Sequence, residues 1–240
     1  GVNMELTSVY KVKEWMIQQI KEGKLSPGEP LPSNLAVART LNVKTDDVYD
    51  AVDELITEQV LSNNLEEGAS VKSLHPFFYP LGELVSISQM IEQQGFNART
   101  EFISLDEKPA TSLDALRLNI PNKASVTIIE RVRLADRQPV VYCLDKVPAD
   151  DLTCAQYQNS DESLLNAIEA YANKKVAYAN TEIEAISYEP HISDVLDASP
   201  HEGLMLLKLI HYDNEDNPIL YSFNYFKSSL VKFKTVRNRI

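Results

Sequence analysis

Two arginines placed two residues apart, Arg131 and Arg133, have the plainest chemical consequence in this chain of 240 residues. They fall in the stretch 125–134, whose β-branched and apolar content predicts a strand. On a strand alternate side chains share a face, so both guanidiniums point one way while Glu130, Val132 and Leu134 point the other. Two neighbouring cations on a sheet face need an anionic partner, which is either a carboxylate of the chain or a bound anion. Ser86-Ile87-Ser88 opens a helical pattern, where unpaired backbone N–H groups and two hydroxyls suit an anion; a serine at such a place is equally a plain helix cap. Catalysis has no such support. Cys143 and Cys154 are the only cysteines, and His75, His191, His201 and His211 lack the spacing of a metal site. No nucleophile stands beside a base, so binding is expected rather than an enzyme, with no cofactor and no metal.

A second constellation spans residues 32–59. Val48, Ala51, Val52, Leu55 and Ile56 repeat at helical spacing, as do Val37, Ala38 and Leu41 before them. Asn42 tolerates the left-handed backbone that ends a helix, and Thr45 can cap the next. Two short helices meeting at a steep angle form a helix-turn-helix, which either reads DNA through its second helix or is an ordinary helical corner.

A hydrophobic content of 44% is that of an ordinary globular protein, and the length suits two domains. No apolar run approaches the roughly 20 residues of a membrane helix, and no charged start leads into a secretory core, so the expected location is cytoplasmic, without membrane contact. The net charge of −12 opposes contact with a polyanion.

In order along the chain, and with Gly1–Asn3 set aside because they precede Met4, Val9, Val12, Met16 and Ile20 predict a first helix that stops at Gly23. A Pro-punctuated loop leads to the helix pair. Residues 60–61 and 69–72 then return around Glu66-Glu67-Gly68 as a small hairpin, giving a winged helix over residues 4–72. His75-Pro76 and Tyr79-Pro80 predict a stiff extended linker over 73–82. From 83 to 240 the pattern is α+β, with strands near 101–105, 125–134, 139–147, 176–186, 204–212 and 218–226. Helices are expected near 86–94, 111–118, 162–171 and 191–197. The segment from Ser104 to Pro139 and that from Ser187 to Pro218 have the same sequence of features, which is either a degenerate duplication with Tyr142 and Tyr221 in equivalent places or the ordinary recurrence of hairpins.

The run Leu25-Ser26-Pro27-Gly28-Glu29-Pro30-Leu31-Pro32-Ser33, followed by Ala38, Leu41, Val43, Val48 and Ala51, resembles the amino-terminal domain of GntR-type transcriptional regulators. Departures concentrate where that family touches DNA. Asn34-Leu35 replaces a usual Glu-Arg, Lys44-Thr45-Asp46-Asp47-Val48-Tyr49 replaces an arginine-bearing start to the recognition helix, and the wing lacks its basic residue. Residues 1–73 hold seven Lys or Arg against twelve Asp or Glu, a net of −5. Ser33, Arg39, Lys44, Thr45 and Tyr49 remain as candidate DNA contacts, and weakened operator binding is expected.

Gly95, Arg131-Val132-Arg133, Asp136 with Pro139, Val147-Pro148, Ser163-Leu164-Leu165 and residues 217–225 are similar to the effector-binding (UTRA) domain of the HutC branch of that family. The resemblance implies a largely antiparallel, chorismate lyase-like sheet with flanking helices. It also implies a homodimer and a phosphate held at Ser86, Ser88, Arg133 and Ser163. Ile87, Arg131, Cys143, Leu220 and Tyr221 complete the candidate pocket. Cys143 and Leu220 stand where the family often carries acidic residues that grip sugar hydroxyls, so a small anion, phosphorylated ones included, with a compact or apolar body is expected. The function implied is an operator-binding repressor modulated by that effector. The alternative is a sensor whose acidic winged helix acts through protein contacts.

Overall fold

The computed structural model describes residues 6–64, 66–72, 76–160 and 163–240. It divides into two compact units, Gly1–Leu74 and His75–Ile240.

In the first unit, α1 (Ser8–Lys21) starts at Thr7, whose side chain accepts from the Tyr10 N–H at 3.1 Å. Ser33 caps α2 (Asn34–Leu41) in the same way, and Asn42 ends that helix at φ 53°, in the left-handed region. The chain turns at once into α3 (Thr45–Thr57). Val48, Ala51 and Leu55 on α3 are fully buried against Val12, Met16, Val37 and Ala38. Each large apolar side chain buried in this way contributes about 1.5–3 kcal/mol. β1 (Leu61–Asn64) and β2 (Gly68–Val71) pair antiparallel from Leu61↔Val71 to Asn64↔Gly68, and Gly68 takes φ +80° at the turn. Leu61 and Val71 close the core from below, so the hairpin is fixed to the helices by its buried end. Thr45 does not cap α3. The cap position is Lys44, without a side-chain bond, and Asp46 and Asp47 in the first turn supply favourable charge at the helix amino terminus instead.

The second unit begins with β3 (Phe77–Pro80), which pairs parallel with the last strand, β10 (Val231–Lys234). Residues 77–80, expected to belong to a linker, are therefore a strand of this unit; residues 73–75 lie outside the described residues. The main sheet comprises β4 (Ala98–Pro109), β5 (Ser125–Ala135), β6 (Gln138–Pro148), β7 (Val176–Ile186), β8 (Leu204–Asp213) and β9 (Pro218–Lys227). Its order is β4-β5-β6-β9-β8-β7, all antiparallel. Helices α4 (Ile87–Glu92), α5 (Ser112–Leu118), α6 (Cys154–Gln158), α7 (Leu164–Ala172) and α8 (Pro190–Val195) flank it. The short α6, β3 and β10 were not legible as elements in the sequence.

That strand order is a palindrome. A helix, a strand, a helix and a hairpin run as α4-β4-α5-β5-β6 and again as α7-β7-α8-β8-β9. Tyr142 pairs with Tyr225 and Lys146 with Tyr221, so the two halves are related about the Leu144↔Phe223 pair. By the same register Asp145 corresponds to Asn224 and, because Arg133 faces Val141 while His211 faces Leu220, Arg133 corresponds to His211.

Alternation along the strands gives each face its own core. On one face Ile91, Cys143, Leu207 and Phe226 pack with Phe77 and Val231, beside a second cluster of Ile129, Val147, Leu164 and Ile168. The other face buries Val132, Leu134, Tyr142 and Leu204 against α8, and Val126 and Tyr221 against Leu118 of α5. α5 carries a capping box between Thr111 and Asp114, and Asp114 is further held by Lys146 at 2.7 Å. There the salt bridge and the capping bonds outweigh burial, and the Asp114 carboxyl lies below its ordinary pKa.

Candidate functional site

The first face of the sheet carries a recess of about 90 Å³ and, beside it, a chamber of about 650 Å³. Ser88, Arg131, Arg133 and Ser163 line both. Ser86 is the cap of α4 and accepts from the Gln89 N–H at 3.0 Å; Ser163 is the cap of α7 and accepts from the Asn166 N–H at 3.3 Å. The two equivalent helices of the duplicated halves thus both begin at this recess, bringing Ile87 and Leu164 into its wall.

The two arginines differ in kind. Arg131 donates from Nη1 to the Tyr157 hydroxyl at 2.9 Å and from Nη2 to Asp145 Oδ2 at 3.2 Å. Burial works against its charge, but the Asp145 carboxylate prevails and raises its pKa above the ordinary value. Arg133 donates to the Ser88 hydroxyl and forms no ion pair with a carboxylate among the described residues. Burial and the neighbouring Arg131 both push its pKa down, yet a guanidinium stays charged. The charge of Arg131 is neutralised by Asp145, although its Nε has no partner among the described residues. Both line the cavity, and Arg133 is the one without a carboxylate partner among the described residues.

Asp145 is itself organised, for its Oδ1 accepts from the Ser222 hydroxyl at 2.6 Å. His211, Leu220 and Asn224 complete the floor and wall, with Leu84, Leu165 and Leu209. Burial pushes the His211 imidazole down to about 4, so it is neutral at ordinary pH. Asp145, His211, Ser222 and Asn224 were not identified from sequence, although the inward-facing series Leu220, Ser222, Asn224, Phe226 shows two polar residues on a buried strand face.

Ser86, Ile87, Ser88, Arg131, Arg133, Ser163 and Leu220 come together at this recess. Cys143 and Tyr221 do not. Cys143 is on the correct face but wholly buried beneath it, and burial pushes its thiol up to about 12. Tyr221 points through the opposite face, where the Arg117 guanidinium lies 4.4 Å from its ring centroid. Adjacent strand residues cannot line one cavity, and Leu220 occupies the inward position. Leu84, Leu164, Leu165, Leu209 and Leu220 give the recess an apolar wall, and Asp145, Ser222, Asn224 and His211 add polar groups that the sequence reading did not include.

On the first unit, Arg39, Lys44 and Tyr49 are exposed, Thr45 is half-buried, and Ser33 is exposed while capping α2. Around them stand exposed Leu35, Asp46 and Asp50. Among the described residues the hairpin turn carries Glu66 and Glu67 and no basic side chain.

A helix-turn-helix with a hairpin wing, followed by a sheet domain with a small recess lined by apolar and charged residues, is the architecture of a transcription regulator with an effector domain. The model of the UTRA domain matches residues 93–232, and the chain belongs to that family, as a GntR-type regulator of the HutC branch. It is 25% identical to the HTH-type transcriptional repressor NagR of Bacillus subtilis, over 96% of this chain and 95% of that protein. It is 24% identical to the mannosyl-D-glycerate transport/metabolism system repressor MngR of Escherichia coli, over 92% of each. PhnF from Mycobacterium smegmatis has the same fold, with a TM-score of 0.64 at 19% identity over 95% of this chain and all of that one. No helix among the described residues is long and apolar enough to cross a membrane.

Proposed function

We propose that the protein is a homodimeric transcriptional repressor acting in the cytoplasm, with residues 4–72 as its DNA-binding domain, whose operator affinity changes when a small anion occupies the recess at Arg133, Ser88 and Ser163. The carrying observation is the division of labour on β5: Arg131 is neutralised by Asp145, whereas Arg133 is buried, charged and, among the described residues, answered only by a serine hydroxyl. A buried cation without a counter-charge is costly, and a bound anion removes that cost. The names of two full-length relatives, both repressors, favour repression. An effector acts only through a difference in affinity between two states of the protein. The test is fluorescence anisotropy of a DNA fragment from upstream of the coding region, with and without inorganic phosphate and simple phosphate esters. Sequence-specific binding that shifts with the anion supports the reading, and binding indifferent to every anion refutes it.

The exposed face of the helix-turn-helix favours a second reading, in which the winged helix no longer holds DNA and contacts another protein. Asp46, Asp50 and Asp53 are exposed on α3, where phosphate would lie. Absence of any sequence-specific retention at low salt supports that reading over the first.

A further inference from the structure

Five buried side-chain polar atoms lack a hydrogen-bond partner among the described residues, and four of them belong to the recess: Arg131 Nε, Arg133 Nε, His211 Nδ1 and Asn224 Oδ1. Buried polar atoms are ordinarily paired, so four unpaired ones around one cavity point to a ligand that would pair them. They sort by position. The two on β5 are N–H donors. Those on β8 and β9 are an amide oxygen and a nitrogen of a neutral imidazole, which has one acceptor nitrogen.

Asp145 lies between these ends. Its two oxygens each accept one bond, from Ser222 and Arg131, and each keeps a lone pair. The charges of Arg131 and Asp145 cancel, so Arg133 leaves a net of +1 among the described lining residues. The end near β5 calls for an acceptor-rich anion, and the end near β9 calls for a donor.

We propose that the recess takes a short phosphorylated primary amine, with its phosphoryl group at Arg133 and Ser88 and its ammonium group at Asn224 and Asp145, and that Asn224 determines specificity. This rests on the anion-site reading above. An ammonium carries three donors and no acceptor, so it meets several open acceptors at once, whereas a hydroxyl brings one donor and needs donors itself. A phosphate monoester of charge about −2 joined to an ammonium carries about −1, which balances the site. β5 and β9 are both neighbours of β6, so the two ends stand about two strand spacings, roughly 10 Å, apart at the backbone, a span that the side chains and a spacer of a few atoms bridge.

Calorimetric titration of the full chain with 2-aminoethyl phosphate, 2-hydroxyethyl phosphate, ethyl phosphate and inorganic phosphate tests this. The aminoethyl ester is expected to bind about 10- to 100-fold more tightly than the ethyl ester, because the latter leaves buried acceptors unpaired. Asn224→Leu is expected to bring that ratio close to unity. Equal affinity for the aminoethyl ester and either the ethyl or the hydroxyethyl ester overturns the proposal. If ethyl phosphate binds and Arg133→Gln abolishes its binding, yet no amine preference exists, the anion site stands and the amine inference falls. If no phosphate binds, both fall. The wild-type series decides the matter even where a variant fails to fold.

Discussion

Asp145 holds Arg131 at 3.2 Å in a part of the sheet where both side chains are almost completely buried. The pair fixes which of the two β5 arginines is structural. Asp145→Asn leaves the Arg131 charge buried without its partner, and the expected cost is about 3–5 kcal/mol. Denaturant unfolding measures it. A loss below about 1 kcal/mol, the range of an exposed pair, would show that solvent already reaches Arg131.

Arg133 should behave in the opposite way. Arg133→Met removes a buried cation that has no carboxylate, so stability is expected to hold or rise by about 1 kcal/mol. Binding of inorganic phosphate is expected to weaken by at least about tenfold, the loss of one charge-assisted contact. Thermal unfolding and calorimetry on the same sample read both effects. A variant that melts earlier and binds phosphate as before would reverse the assignment of the two arginines.

His211 makes stability depend on pH. Its folded pKa, about 4, lies below the ordinary value of 6.5, because burial disfavours the imidazolium. The unfolded chain therefore binds a proton that the folded chain rejects as pH falls below 6.5. Stability from this residue is complete above pH 6.5 and declines through pH 4, by about 3 kcal/mol in all. The difference in unfolding free energy between wild type and His211→Gln, followed from pH 7 to pH 4, is expected to shrink by that order. A constant difference across the range would mean that the imidazole is not kept neutral.

On the first unit, electrostatics is open to direct trial. Replacing Asp46 and Asp50 by Asn removes two negative charges from the exposed side of α3. Affinity for duplex DNA at low salt is expected to increase several-fold, with the gain vanishing near 1 M salt, where the screening length falls to about 3 Å. Anisotropy titrations across a salt series measure it. No gain at low salt would mean that α3 does not face the duplex.

The sequence carried the helix-turn-helix because its determinants are local: Asn42 for the left-handed turn and the stripe from Val48 to Leu55, although the cap at Ser33 went unread. The six long strands were legible from their apolar stretches, although β4 was read only over 101–105 and spans Ala98–Pro109. What remained hidden depends on neighbours distant in the chain. Phe77–Pro80 is a strand only because Val231–Lys234 pairs with it. Asn224 is a site residue only because β9 lies beside β6 and places it next to Cys143. Cys143 and Tyr221 were misplaced for different reasons. Burial of Cys143 depends on packing over the sheet, whereas Tyr221 follows from strand parity once Leu220 is set inward.

The palindromic sheet is a frame with nearly the same shape read from either end. Its chemistry breaks that equivalence at the pairs Arg133 and His211, and Asp145 and Asn224, where one half carries fixed charge and the other neutral groups. A symmetric frame with symmetric chemistry would accept a two-ended molecule either way round. Here the cavity has a polarity, like a keyed electrical socket, and the proposed ligand with unlike ends is expected to seat in one orientation.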